Sequence, residues 1–320
     1  MKSILRIVRL AATLVFSIVI LFAVSCNFPS STPIVTPTIT PAVTPSITPS
    51  EPPTVTSTTT PTIKPIPTTV SGNLDVYFID VGQGDSIFID YGTTEVLIDG
   101  GEKSPGITDF IRPYIDGPLD CVVATHPHSD HIGGLIAVLK TFAVSDVWTN
   151  GETYSGTTYN EFVSAEDSSG ATEHIAKRGD VITVGNLSFS VLHPDTPTNS
   201  DPNENSIVLY LDYGNVGFLF TGDAGKPSEA SMLSAGIVQH ADILKIGHHG
   251  SRTASSPQFI QAVNPEVAIY MAGLNNSYHL PNQDALDIVS SLGAKIYGTD
   301  KNGTIEVSTD GTNYTVTTEK

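Results

Sequence analysis

Cysteine is nearly absent from this chain, with two in 320 residues. That excludes a disulfide-stapled scaffold and any Cys-rich zinc module. Cations are scarce too. Fifteen Lys and Arg stand against 33 Asp and Glu, a net charge of −18 with a pI near 4.6, which argues against a generally basic nucleic-acid coat. Long apolar runs are limited to one, Leu10–Val24, too few for a multi-span channel. Beyond Phe28, aromatic residues are missing as far as Val70, so nothing in that stretch can build a core. The chain is 39% hydrophobic, enough for one large α/β domain with appendages or for two ordinary domains.

Lys2, Arg6 and Arg9 precede the uncharged run Leu10–Val24, the order of a secretory signal. The run is shorter than the ~20 residues of a spanning helix. It closes on Ala23-Val24-Ser25-Cys26, which resembles a bacterial lipoprotein signal in which Cys26 becomes the acylated first residue. A plain cleaved signal or an uncleaved anchor is the alternative. From Asn27 to Val70 come eleven prolines and fourteen threonines with only Glu51 and Lys64 charged, and Thr-Pro recurs every four residues from Thr32 to Thr48. Proline at this density favours an extended chain at ~3.1 Å per residue, a spacer with a reach on the order of 100 Å. A Pro-rich ligand is the other reading. The expected division is a signal at 1–25, a tether at 26–70 and a folded domain at 71–320, held outside the cytoplasm on a lipid anchor or secreted.

From Ser71 onward 11 basic residues face 32 acidic ones, a charge of −21. Leu74–Asp80 reads as a strand ending in the turn Gly82-Gln83-Gly84, followed by paired strands Ser86–Tyr91 and Thr94–Asp99. Leu119–Ala124 is apolar without alternation, the mark of a strand covered on both faces, and Ile132–Phe142 has helical spacing. Further strands are expected at Val181–Val184, Leu187–Leu192, Ser206–Tyr213, Gly217–Thr221, Ile243–Ile246, Val267–Ala272, Lys295–Gly298 and Thr304–Ser308, with helices at Ser228–Ala235 and Gln283–Leu292. Strands with helices between them suit two packed sheets covered by helices.

Thr125-His126-Pro127-His128-Ser129-Asp130-His131 places three imidazoles and a carboxylate at the end of the buried strand. Alternate positions on an extended segment project the same way, so His126 and His128 can grip one ion while Asp130 and His131 address a second. Imidazole and carboxylate suit zinc, manganese or iron.

This His-x-His-x-Asp-His pattern resembles the signature of the metallo-β-lactamase superfamily, which implies an α+β fold of four layers, an αβ/βα sandwich with metals at its edge. Phe78-Ile79-Asp80-Val81-Gly82-Gln83-Gly84-Asp85-Ser86 is similar to the opening of the ComEC competence-protein hydrolase domain. So are Leu97–Gly101, Thr221-Gly222-Asp223, Gly247-His248-His249-Gly250-Ser251 and Thr299–Gly303, over residues 74 to about 310. With one apolar run, the chain is expected to be an exported hydrolase without the channel of the full competence proteins. The resemblance implies that Asp223 bridges two metals and that His279 is the last ligand, although Leu280 separates it from Pro281 where the family has His-Pro. His248 or His249 would complete the site or donate a proton. Asp99 would orient a ligating imidazole, and Asp80 and Asp85 would line the pocket beside their Gly-rich turn. For the family's middle ligand the candidates are Asn203 or Asn205, with His193 as the alternative. Cys121 reads as a small core residue and His174 lies outside any motif.

The implied cofactors are two divalent ions ~3.5–4 Å apart, zinc or alternatively manganese, that activate a water oriented by Asp130. The implied substrate is a phosphodiester, hence DNA cut outside the cell, with Lys245 and Arg252 as phosphate contacts. The charge of −21 opposes capture of DNA unless basic groups gather at one cleft. The alternatives are a hydrolase of a cell-wall or other ester, or a metal-retaining binding module without turnover. No protein partner is implied.

Cys26 supplies the first test. Acylation there predicts that the mature protein partitions with membranes and that Cys26→Ala leaves it unprocessed or released. Fractionation and the mass of the mature N-terminus check this, and unchanged processing and retention in the variant would remove the lipid anchor.

Overall fold

Strand-forming segments from Leu74 onward sort into two sheets that follow the two halves of the chain. In the computed structural model, which describes residues 72–103, 106–196 and 200–320, the first sheet begins with β1 (Leu74–Phe78), β2 (Ile87–Tyr91), β3 (Thr94–Ile98), β4 (Leu119–Ala124), β5 (Val144–Thr149) and β6 (Thr172–Ile175). The second holds β7 (Val181–Val184), β8 (Leu187–His193), β9 (Val208–Tyr213), β10 (Val216–Phe220), β11 (Ile243–Lys245), β12 (Val267–Tyr270) and β13 (Lys295–Gly298). β14 (Ile305–Thr309) and β15 (Tyr314–Thr318) then return to the first sheet beside β1, giving the orders 15-14-1-2-3-4-5-6 and 13-12-11-10-9-8-7. The expected signal, Cys26 and the tether lie outside the described residues. Among the described residues no helix is long and apolar enough to cross a membrane.

Strands β3 to β6 run parallel, as do β10 to β13. Parallel neighbours need crossover connections, and helices supply them. They are α1 (Ile107–Ile111), α2 (Ser129–Ile132), α3 (Leu135–Thr141) and α4 (Thr157–Ser169) on the first sheet, and α5 (Lys226–Ser234), α6 (Pro257–Val263) and α7 (Gln283–Ser291) on the second, with α8 (Thr299–Asn302) after β13.

Strand alternation then makes three cores. Val76, Phe78, Ile89, Phe189, Leu211 and Phe218 meet between the sheets. Tyr77, Phe88, Leu97 and Val122, on the other face of the first sheet, pack with Ile107, Leu135 and Phe162 of its helices. Leu219, Leu244 and Ala268 pack with Met232, Phe259 and Val289 on the far side of the second. The result is the expected α+β sandwich of four layers.

The differences from the sequence reading are local. The expected helix Ile132–Phe142 is divided into α2 and α3 at Gly133-Gly134, where a Cβ on Gly134 would overlap the Gly100 carbonyl oxygen. No element was expected between Phe142 and Val181, yet β5, α4 and β6 lie there. The polar stretch of α4 buries only Phe162, Ala165 and Glu166, too narrow a stripe to announce a helix. α1, α6 and β15 were not expected either.

The turn before β2 presses on the His-rich loop. Gly84 has φ +115°, and a Cβ there would overlap the Asp130 carbonyl oxygen, which accepts the Asp85 N–H at 3.2 Å. Gly84→Ala is therefore expected to destabilise the domain by about 1–3 kcal/mol and to displace Asp130. Denaturant unfolding checks this, and an unchanged midpoint would show that the contact is slack.

Candidate metal centre

Loops following β3, β4, β10 and β11 bring Asp99, His126, Asp223 and the His248-His249 pair to one edge of the sandwich. Carboxyl ends of parallel strands are the usual place for a site in such sheets. The chain reaches it through unusual backbone: Asp99, His248 and His249 have φ of 59°, 48° and 54°. Non-glycine residues in this left-handed region cluster at functional sites.

Asp223 is the hub. Its Oδ2 lies 3.4 Å from His131 Nε2 and 3.4 Å from His249 Nε2. His126 Nε2 and His248 Nε2 are each 3.8 Å from the same oxygen. The Asp223 N–H donates to Ser206 Oγ at 3.1 Å, which fixes the carboxylate from behind.

Each of the four rings is held at its other nitrogen. His131 Nδ1 is 2.7 Å from Asp99 Oδ2, His126 Nδ1 is 3.2 Å from Thr125 Oγ1, and His248 Nδ1 is 3.0 Å from Thr253 Oγ1. His249 Nδ1 donates to the Met271 carbonyl at 2.9 Å with Asp85 Oδ1 at 3.1 Å. Anchoring one nitrogen fixes the ring and presents the other inward, the arrangement of metal-binding histidines. Asp99 is in turn fixed by the Thr125 N–H and hydroxyl, at 2.8 and 2.7 Å. His128, half-buried, has Nδ1 3.0 Å from His126 Nε2, and Asp130 Oδ2 is 3.3 Å from His249 Nε2.

Ligand atoms of Asp85, His131, Asp223 and His249 all fall within 4.8 Å of one another. His131 Nε2, His249 Nε2 and Asp223 Oδ1 are buried without hydrogen-bond partners. Orphaned imidazole nitrogens and carboxylate oxygens in one cavity fit a divalent cation.

Other residues fall elsewhere. His279 is exposed, in a loop folded by Asn276 Oδ1, which accepts the N–H groups of Tyr278 and Leu280, and it is not among the residues whose ligand atoms converge. His193 is turned to the Glu204 carbonyl at 2.8 Å and to Arg178, so it does not fill the middle position. Asn205 donates to Glu152 Oε2 at 3.2 Å, while Asn203 lines the adjoining cleft with its Oδ1 unpartnered. Asp80 accepts from the Gly82 N–H and pairs with Lys320 at 3.1 Å, which gives it a turn-capping place outside the pocket. Lys245 is fully buried and bound to Asp85 and the Gly222 carbonyl, so it is not open to phosphate. Arg252 remains at the surface. His174 stacks on Trp148 and pairs with Asp146, and Cys121 is core. The sequence reading passed over Thr125, Ser206 and Thr253, whose only signal is that each adjoins a motif.

The cluster sets its own charges. Burial alone would raise the Asp223 carboxyl, but His249 and His131 hold it well below the ordinary range. Burial likewise opposes Asp85, and the Lys245 ammonium and His249 outweigh it and lower its pKa. For His131, burial is overcome by Asp223 and Asp99, so its pKa lies well above 6.5. The same holds for His249, through Asp223 and Asp85. His126 is pushed the other way by burial and then by His131.

The model of the Metallo-beta-lactamase superfamily matches residues 79–273. ComE operon protein 3 of Bacillus subtilis (strain 168) is 32% identical over 257 residues, covering 74% of this chain and 33% of its own. The exodeoxyribonuclease WalJ of Streptococcus pneumoniae serotype 2 (strain D39 / NCTC 7466) is 26% identical over 228 residues, 67% of this chain and 76% of its own. Igni18, a metallo hydrolase from the archaeon Ignicoccus hospitalis KIN4/I, superposes with a TM-score of 0.51 at 15% identity over 73% of this chain and 98% of its own, a likeness of fold alone. The chain spans about a third of the length of the competence-type relatives it matches.

With both ring nitrogens protonated, His131 and His249 have no lone pair to offer a cation. Their raised pKa values keep those protons bound above 6.5, so metal must displace them and its apparent affinity rises with pH. Affinity is expected to fall about tenfold per proton displaced for each unit by which the pH is lowered, with matching proton release on loading. Competition with a chelator between pH 5.5 and 7.5 in weak buffer measures both, and a pH-independent affinity would contradict the assignment.

Proposed function

The chain belongs to the metallo-beta-lactamase superfamily and is a metallo-hydrolase of that kind, and from this we propose that it is an exported, lipid-anchored phosphodiesterase that cuts DNA with two divalent ions. The observation that carries the reading is an open cleft of about 470 Å³ beside the metal cluster, lined by His128, Asp130, Tyr154, Tyr159, His248 and Tyr278 among others. Asp130 is the one carboxylate in that lining, although the domain carries −21. The polyanion objection thus weakens at the surface where a phosphodiester would lie, even though no Lys or Arg lines the cleft. Exposed tyrosine faces suit stacking on nucleobases. Arg252 is retained as a phosphate contact. The anchor rests on the order of residues 2–26.

His126, His128 and Asp223 would hold one ion, and Asp130, His131, His249 and Asp223 the other, with zinc the better match and manganese the alternative. Ions of this type acidify water and offset charge on phosphate oxygens. Asp130, its side chain 19% exposed at the cleft floor, orients the attacking water and accepts its proton. Burial would raise its carboxyl, but its contacts with His249 and His131 lower it, so it stays ionised as an acceptor. His248 is less buried than His249, lines the cleft, and has Nδ1 near Thr253 Oγ1. In this reading His248, whose pKa burial lowers from the ordinary imidazole value, is the imidazole that donates a proton to the leaving oxygen.

His128→Ala is expected to lose metal and nearly all phosphodiesterase activity while staying folded on three separate cores. His248→Ala is expected to keep its metal and lose about 10²–10⁴ in rate on plasmid DNA, with a smaller loss on bis-p-nitrophenyl phosphate, whose leaving group needs little protonation. Metal analysis with both assays checks this. Full metal and normal rates in the His128 variant would overturn the reading, and metal without turnover on any ester in the unmodified protein would favour a binding module.

A further inference from the structure

Two of the large apolar side chains left exposed among the described residues, Tyr154 at 39% and Tyr278 at 63%, line the cleft beside the metal cluster. Tyr154 follows β5 of the first sheet and Tyr278 follows β12 of the second, so each half of the sandwich contributes one ring. Both stand on braced backbone. The Tyr159 hydroxyl donates to the Glu152 carbonyl at 3.1 Å and closes the segment that carries Tyr154. Asn276 Oδ1 accepts the Tyr278 N–H at 3.1 Å, and its Nδ2 donates to the Gly273 and Leu280 carbonyls at 2.9 and 2.6 Å. Rings held in this way cost less to order when a ligand covers them. His128 and Tyr159 meet Tyr154 at interplanar angles of 75° and 79°, which are edge contacts. Among the described residues no ring stacks on the face of Tyr154 or Tyr278.

The charge around these rings points to the kind of strand they would meet. No Lys or Arg lines the cleft. The acids of the first sheet lie at the ends of β1 to β4 remote from it. There Asp75 pairs in register with Asp90 and Asp90 with Glu95, and the Glu95 N–H donates to Asp120 Oδ2 at 3.0 Å, making a carboxylate row. A double helix is gripped through its phosphates by cations that follow the backbones, and its base faces are stacked out of reach of a tyrosine. An unpaired strand exposes those faces, and stacking on them tolerates any sequence. Resting on the phosphodiesterase reading above, we propose that the cleft selects single-stranded DNA, with Tyr154 and Tyr278 as specificity-determining residues that stack on its unpaired bases. A volume of about 470 Å³ is that of a pocket for one small ligand, so a single strand enters and a double helix stays outside until its end opens.

The test compares three oligonucleotides of equal length on the metal-loaded full chain: single-stranded oligothymidylate, the same strand in a blunt duplex, and a strand of abasic units that keeps the phosphates without the bases. Stopped-flow anisotropy reads binding before turnover, and gels read cutting. Oligothymidylate is expected to bind at least about tenfold more tightly than either of the others. Its affinity should fall with salt at a log–log slope no steeper than about −1.5, because the cleft offers few cations. Tyr154→Ala and Tyr278→Ala should each weaken oligothymidylate about 5- to 100-fold and shrink its preference over the abasic strand. Tyr→Phe at either position keeps the ring face and should restore the preference. Equal affinity for all three oligonucleotides, or an undiminished preference in both alanine variants, would overturn the proposal. Ring-dependent binding without cutting of any strand would support the stacking site and overturn the phosphodiesterase reading. Cutting of the duplex as fast as the single strand would do the reverse.

Discussion

One carboxylate oxygen, Asp223 Oδ2, has four imidazole nitrogens around it at 3.4 to 3.8 Å. A single oxygen cannot satisfy four potential donors, and four imidazolium charges could not share so small a space. The arrangement is consistent only with several neutral rings facing added positive charge, as a proton or a metal ion. The surroundings follow from that constraint. Asp99, Thr125, Thr253 and the Met271 carbonyl hold the outer nitrogens so that the inner ones cannot turn away. What looks like four separate hydrogen bonds is one device for presenting nitrogen lone pairs.

Holding that device is costly, and the fold supplies what offsets it. Left-handed backbone at Asp99, His248 and His249 costs about 1–3 kcal/mol each. Asp85 brings a further buried negative charge beside Asp223 and Asp130, and the buried Lys245 ammonium neutralises it. Removing one partner of such a pair typically costs about 3–5 kcal/mol, because the other is left buried and unpaired. Lys245 is therefore a structural counter-ion whose position keeps the carboxylate count at the cluster tolerable. A three-residue strand, β11, buried on both faces, fixes it there.

The same contrast explains what could be read before the fold was known. His126, His128, Asp130 and His131 lie within six positions, so spacing on one strand end is enough to bring them together. The strands around them carry alternation or continuous apolar runs, which pointed to two packed sheets covered by helices, and the four-layer class came with the resemblance to the metallo-β-lactamase superfamily. Asp85 and Lys245 stand 160 positions apart, and no local pattern reveals that they pair. Lys245 read as a phosphate contact because it precedes Gly-His-His-Gly-Ser, yet its strand position points it inward. His279 lies at the surface for the opposite reason: its motif is local, but the loop around it is set by Asn276. Helix α4 was invisible because its one buried stripe is too narrow to stand out from its polar surface.

Charge placement eases the conflict between an acidic domain and the anionic substrate proposed for it. What a polyanion meets is the local potential at the cleft, and net charge enters only through groups within a screening length. In ~0.15 M salt that length is about 8 Å. Glu95 and Asp99 are four residue steps apart, roughly 13 Å at ~3.3 Å each. The carboxylate row therefore sits beyond the screening length from the cluster, while the cleft lining keeps only Asp130, itself beside His249. Strand β4, which leads into His126, thus carries Asp120 near its start, and its length keeps the two apart.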